Sequence, residues 1–446
     1  MLTISSRRQA AGHAVAAART WWRHWSGWAV TTIVVFSYLA WTVPAIRQGG
    51  PEPFIHLGRT LVAKSQASPA ISGRAASYAY DGDIGFDGQY AYFLAVDPIN
   101  ARYYMDSPAY RYTRVLYPMT ARVLALGRPD LVPFALIALN LIMIGVGTAA
   151  LAAVLRRRGV SPWYAAVYGF YPGVLITLQR DTTEIMAYGL VAVAIYLFDA
   201  RRRWFWSAIV FALAILARET AAIFAIGYAA TLLLAGAGQG QSPSPLVGEG
   251  RGQSPSPLVG EGRGQSPSPL VGEGRGGGLR NAAIFASVSA LPIVAWKVFL
   301  RVWLGSWGLD AHVEHIPFGG ILSWFPWTAG QVVEVHSVVL PAVLCGIVAA
   351  WAIIRGIRRV ETFVLLANVI VLVVLLERPA YNDISSSGRI TVGVVLAAVL
   401  CLPVLAVRLR AWIWAAAVLW LTPMLFWFAL PTARAYFSVL RHHLRG

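Results

Sequence analysis

The 446-residue chain is 57% hydrophobic and only 13% charged, with 18 Trp, a balance that excludes an ordinary soluble globular protein and points to a bilayer. Its net charge of +17 does not indicate a nucleic-acid binder, because the arginines sit in short clusters between apolar runs. Cys345 and Cys401 both fall inside apolar runs, too few for a disulfide framework or a zinc site.

The N-terminus carries a basic flank of Arg7, Arg8, Arg19 and Arg23 and then a long apolar stretch without a small-residue cleavage site, which reads as a retained signal anchor. Residues 1–26 are therefore expected in the cytoplasm. Further apolar runs at 131–155, 282–302, 338–354, 363–376, 390–407 and 412–430 approach the length of a spanning helix. The expected fold is all-α, a polytopic transmembrane helical bundle of about 11 spans with a long first extracytoplasmic loop containing interfacial helices. The arginine clusters 156–158, 201–203, 355–359 and 408–410 lie between apolar segments and are expected on the cytoplasmic side of the membrane. The acidic residues, which play no part in that assignment, separate with it: 15 of the 20 Asp and Glu fall in segments expected outside. The division is an N-terminal transmembrane module, 27–236, with a catalytic first outer loop, 47–130; an insertion, 237–279; and a C-terminal transmembrane module, 280–446.

Within the first outer loop, residues 78–93 place Asp81, Asp83 and Asp87 within seven positions, and glycines 82, 85 and 88 let the backbone turn around them. Asp-Gly pairs are also ordinary turn formers. A calcium loop would need Glu where Tyr92 stands, so a divalent cation is unsupported and no cofactor is expected. Downstream, Tyr112, Val115, Leu116, Met119 and Val123 recur at helical spacing, which predicts a helix lying in the membrane interface. One carboxylate in this loop suffices as a general base for an acceptor hydroxyl, and Arg111, Arg114, Arg180, Arg218 and Arg389 offer guanidinium forks for a leaving phosphate.

The next outer segments repeat the mixture of charge and hydrogen-bonding groups: Arg180, Asp181 and Glu184 after the third run, and Arg218 with Glu219 in the middle of 204–234. An ion pair at mid-bilayer is costly, so that stretch is expected as two short helices meeting at the outer face. Residues 240–275 are one twelve-residue unit repeated three times, rich in Ser, Pro and Gly, and are expected as a disordered cytoplasmic loop. His312, Glu314 and His315 match no zinc spacing and read as a loop near a substrate head group. Segment 381–389 ends on Arg389. The basic tail from Arg434 to Arg445 leaves the side of the C-terminus open, since an odd span count would put it outside.

Several short motifs carry a resemblance: Tyr78-Ala-Tyr-Asp81, Asp87-Gly-Gln-Tyr-Ala-Tyr92 running into Asp97-Pro98, Tyr110-Arg-Tyr-Thr-Arg-Val-Leu-Tyr-Pro118, Arg180-Asp-Thr-Thr-Glu184 and Arg218-Glu-Thr220. With these the chain resembles the GT-C class of integral membrane glycosyltransferases, and more narrowly the bacterial cell-surface glycopolymer formation proteins. The resemblance implies a catalytic carboxylate in the first outer loop, a polyprenyl-phosphate-linked sugar as donor and an envelope glycan or glycolipid as acceptor. By place in the motif Asp87 is the first choice for the base, followed by Asp81 and Asp83. Tyr90 and Tyr92 are expected to stack on sugar or isoprenoid. A transporter or flippase for lipid-linked glycans, or a noncatalytic assembly partner, is the alternative.

Overall fold

The computed structural model describes residues 4–66, 68, 71, 81–200, 203–238, 275–308 and 314–424. Tyr78, most of the repeat insertion, Asp310, His312 and the basic tail lie outside the described residues. The chain is helical throughout, with no extended strand among the described residues. In chain order the α-helices are α1 (Ile4–Gly49), α2 (Arg59–Ser65), α3 (Gly88–Val96), α4 (Pro108–Thr113), α5 (Leu116–Leu124), α6 (Val132–Arg157), α7 (Ala165–Gly169), α8 (Pro172–Gln179) and α9 (Glu184–Asp199). They continue as α10 (Trp204–Ala217), α11 (Ala222–Gly238), α12 (Arg275–Leu304), α13 (Gly319–Leu322), α14 (Ala329–Glu334), α15 (Leu340–Ile354), α16 (Val360–Val369), α17 (Ile384–Ile390) and α18 (Val392–Cys401). The outermost residues of the insertion expected to be disordered, 237–238 and 275–279, extend α11 and α12 as helix.

Local chemistry sets several of these boundaries. Proline occupies the first turn of α6 and α8, where its missing N–H costs nothing, and α6 closes on Arg156 and Arg157, which suit the negative end of its dipole. Asp383 caps α17 by accepting from the backbone N–H groups of Ser385 and Ser386. On α1, Val30, Val34 and Tyr38 recur every fourth residue and are buried along α6, while Phe36 is 70% exposed. Similarly exposed apolar residues on α12 and α15, such as Val302 and Ile347, form a surface that water would not favour and a lipid would.

Among the described residues, four helical segments are long and apolar enough to cross a bilayer: Trp25–Gly49, Val132–Arg157, Gly278–Leu304 and Ala329–Ile354. A fifth would be the pair α17 and α18, bent by 41° at their junction. About eleven spans are therefore not confirmed. The stretch 204–234 divides at Arg218 into the two short helices α10 and α11, as expected, while the run 363–376 is interrupted where α16 passes into a π-helix at Ile370–Val374. The predicted interfacial helix is likewise two pieces, α4 and α5, because the backbone leaves the helical region at Arg114. The long connection between α1 and α6 does fold into short helices, as expected.

At the centre, α9 packs between α6 and α10, and α12 packs on α10 and α11. Ion-pair clusters mark the two ends of α9. At its C-terminal end Arg158 contacts Asp199 at 2.9 and 3.0 Å and Glu361 at 2.6 Å. At its N-terminal end stands Glu184, about 22 Å away at 1.5 Å per residue.

Candidate active site

Two glycines show how distant segments come together at the N-terminal end of α9. A Cβ on Gly88, the first residue of α3, would collide with the carbonyl of Arg180, so this helix start is pressed against the turn joining α8 to α9. Likewise a Cβ on Gly173 would collide with the carbonyl of Gly388, so α8 lies directly against α17. These contacts bring Asp87, the Asp181 turn and Arg389 to one place. A half-open cleft there is lined by Asp87, Tyr90, Ala91, Leu94, Arg111, Arg114, Pro118, Asp181, Thr182, Thr183 and Arg389. Its cavity is about 30 Å3, room for a water molecule or two and not for a sugar.

Asp87 is the hub of its charge network. One oxygen accepts from Nη1 of Arg111 at 3.1 Å and the other from Nη2 of Arg389. Arg111 is also bidentate to Asp106, through Nε at 3.0 Å and Nη2 at 2.8 Å, and its guanidinium lies 3.7 Å over the Tyr90 ring. The Tyr90 hydroxyl donates to Asp106 at 3.0 Å, completing a loop-one clamp. Arg389 turns its second nitrogen, Nη1, to Glu184 at 3.2 Å, and Glu184 also accepts from Arg218. Arg114 reaches Glu219 at 3.3 Å and donates to the Tyr110 hydroxyl at 2.7 Å.

Burial alone would raise the Asp87 carboxyl, but the guanidinium groups of Arg389, Arg111 and Arg114 more than reverse it and hold the group well below the usual carboxylate range. For Asp106 the same contest between burial and Arg111 also ends below that range. Asp181 is the opposite case. No cation neutralises it, and burial pushes its carboxyl well above the usual range, offset only in part by the Asn140 amide.

Of the three loop aspartates, only Asp87 lines the cleft. Asp81 pairs with Nδ1 of His56 at 2.7 Å, while Nε2 of His56 meets the Gln179 carbonyl at 2.9 Å. Asp83 is 78% exposed and lies 3.6 Å from Arg59, itself exposed. Tyr90 stands in the cleft wall, whereas Tyr92 is buried edge-on to Phe93. Arg111, Arg114, Asp181 and Arg389 line the cleft; Glu184, Arg218 and Glu219 support it from behind through the ion pairs above. The Arg180 side chain does not line the cleft but covers the Phe86 ring at 3.4 Å, from where its charge still acts on Asp87 and Arg389, while its carbonyl is pressed against Gly88. Among the described residues no group of three or more His, Cys, Asp or Glu is placed to hold a metal ion. Glu314 is tied instead to the backbone of Leu375, at 3.1 Å.

Asp106, Thr182 and Thr183 are site residues that reading the sequence did not single out. The two threonines were visible only as polar filler between Asp181 and Glu184, and Asp106 as one more loop acid. Comparison with protein families, with curated proteins and with solved structures finds no match for the chain.

Proposed function

We propose that the protein is an inverting membrane glycosyltransferase that moves a sugar from a polyprenyl-phosphate donor to a cell-envelope glycan or glycolipid. The observation that carries the reading is the Asp87 carboxylate held between the Arg111 and Arg389 guanidinium groups at the wall of a cleft. In this mechanism the acceptor hydroxyl gives its proton to Asp87 as its oxygen bonds to the anomeric carbon. The bond from that carbon to the phosphate oxygen breaks on the opposite face, and the electron pair leaves with polyprenyl phosphate. Arg111, Arg114 and Arg389 take up the phosphate charge, as bidentate guanidinium groups do well.

The cleft is closed by its own ion pairs, and that gives the donor a second role. While both arginines bind Asp87, its low proton affinity makes it a poor base. An incoming phosphate competes for the same guanidinium groups, so its binding frees the carboxylate and raises its basicity where the acceptor arrives. Glu184 keeps Arg389 in the cleft during that exchange, because Arg389 retains this partner when Asp87 is released.

In this reading the protein lies in the bacterial inner membrane, with its N-terminus cytoplasmic and its site on the extracytoplasmic face. The separation of the arginine cluster around Arg158 from the cleft, at opposite ends of α9, supports that polarity. The bilayer supplies the donor's lipid from the side, and no nucleotide enters the reaction.

A second reading has its own observation. Breaks at Arg218 between α10 and α11, and at Thr391 between α17 and α18, lie close in sequence to residues of the charged cluster, as broken helices meet the substrate in secondary transporters, and a transporter or flippase for lipid-linked glycans is the alternative. Transfer of labelled sugar from polyprenyl-phosphate donors to extracted envelope glycan by the purified protein separates the two. The transferase reading predicts label in the glycan and its loss in Asp87→Asn; no transfer with any donor, together with movement of the lipid between liposome leaflets, overturns it.

A further inference from the structure

The turn between α8 and α9 holds polar groups that the network above does not use. Asp181 is fully buried, and apart from the Asn140 amide that faces it, neither of its carboxylate oxygens has a partner within hydrogen-bonding distance. The Thr183 hydroxyl, buried beside it, has none, and the buried Thr182 hydroxyl has only the neighbouring Glu184 carboxylate within its reach. Buried polar atoms are seldom left short of partners, and such a run of them on consecutive residues 181–184 requires an explanation. Asp181 also takes left-handed backbone, with φ +45°, a conformation rare for residues other than glycine. The unusual turn thus aims a ledge of unsatisfied groups into the cleft that contains Asp87.

We propose that Asp181, Thr182 and Thr183 form a subsite that binds the hydroxyl groups of the sugar being transferred, once the donor phosphate has drawn Arg111 and Arg389 from Asp87 and opened the cleft. The carrier lipid in this statement rests on the transferase reading; the hydroxyl chemistry does not. A cation is the wrong occupant, because Arg111, Arg114 and Arg389 share the cleft and Asp181 has no second free carboxylate within a metal-binding group. An apolar chain is wrong too, because it would leave every one of these atoms unpaired. A polyol satisfies them. Each sugar hydroxyl both donates and accepts, and so do threonine hydroxyls and a carboxyl group that burial keeps neutral. The arrangement divides the work within one cleft: arginines take the phosphate, Asp87 the acceptor proton, and the 181–183 ledge the ring hydroxyls that distinguish one sugar from another.

The test is equilibrium binding to the full-length protein in detergent, comparing farnesyl phosphate with farnesyl phosphate carrying glucose, galactose, mannose or arabinose. Wild type is expected to bind at least one glycosylated lipid about tenfold more tightly than bare farnesyl phosphate. Asp181→Gly, which removes the carboxyl and tolerates left-handed backbone, and Thr183→Val are expected to lose most of that preference while binding farnesyl phosphate as wild type does. Equal binding of the bare and all glycosylated lipids by wild type overturns the proposal, and so does a full preference retained in both variants. A sugar preference in a protein that transfers no sugar removes the transferase reading and leaves the subsite standing; transfer without the preference does the reverse.

Discussion

The buried pair of Glu184 and Arg218 offers a stability test with a worked magnitude. Glu184 is fully buried and Arg218 is 6% exposed, so neither charge is screened by water. Removing Arg218, as in Arg218→Met, leaves Glu184 with Arg389 alone, at 3.2 Å and already shared with Asp87, and with Oε2 unpartnered. Breaking one side of such a pair costs about 3–5 kcal/mol. The remaining Arg389 contact places this variant toward the lower end, about 3 kcal/mol. Glu184→Gln should cost more, because Arg218 then has no carboxylate bonded to it. The double variant Glu184→Gln/Arg218→Met buries no unbalanced charge and is expected to be more stable than the sum of the single effects implies, by at least 1–2 kcal/mol on the order expected for contacting groups. The assay is unfolding in mixed detergent micelles followed by tryptophan fluorescence. Single variants within about 1 kcal/mol of wild type, or strictly additive costs, would refute the claim that this pair is a buried, mutually dependent support of the cleft.

Other perturbations discriminate among the residues of the cleft. Asp87 is depressed in the folded protein, so its ion pairs contribute stability above the ordinary carboxylate range and lose it only in stronger acid. The acidic limb of kcat/KM, which reports the free enzyme, should therefore lie below that range and move upward in Arg389→Gln; an unmoved limb would contradict the assignment. Tyr90→Phe, which keeps the ring under Arg111 and loses only the bond to Asp106, should lower donor affinity less than about fivefold, and Tyr90→Ala by more, measured as KM. Asp83→Asn should leave transfer within about twofold of wild type, because its contact to Arg59 is exposed and screened. Gly88→Ala should abolish transfer and lower the unfolding temperature, since the added methyl meets the Arg180 carbonyl.

Parts of this architecture were legible from residues alone. The adjacent charges of Arg218 and Glu219 marked the break between α10 and α11, because mid-bilayer charge is costly, although their partners, Glu184 and Arg114, were not foreseen. The choice between Tyr90 and Tyr92 was open to a sharper argument: two residues apart on α3, they point to roughly opposite faces, so only one can stand in a cleft wall. Partnership across long sequence separations was not legible. Arg389 and Asp87 are 302 positions apart, and nothing in either segment says which of five candidate arginines meets the carboxylate. The placement of Arg180 over Phe86 is invisible for the same reason. Hydropathy also registers apolar length and not the π-helices and bends that interrupt it, so it did not foretell the break after Val369 or the 41° bend between α17 and α18.

The account stands most directly on the stereochemistry of the transferred sugar. Donor of known anomeric configuration would be given to wild type and to Asp87→Asn with extracted envelope acceptor, and the product linkage read by NMR. A single displacement with Asp87 as base predicts the inverted linkage from wild type and a loss of about a hundredfold or more in rate from the variant. A retained configuration, or an Asp87→Asn variant as fast as wild type, would contradict it.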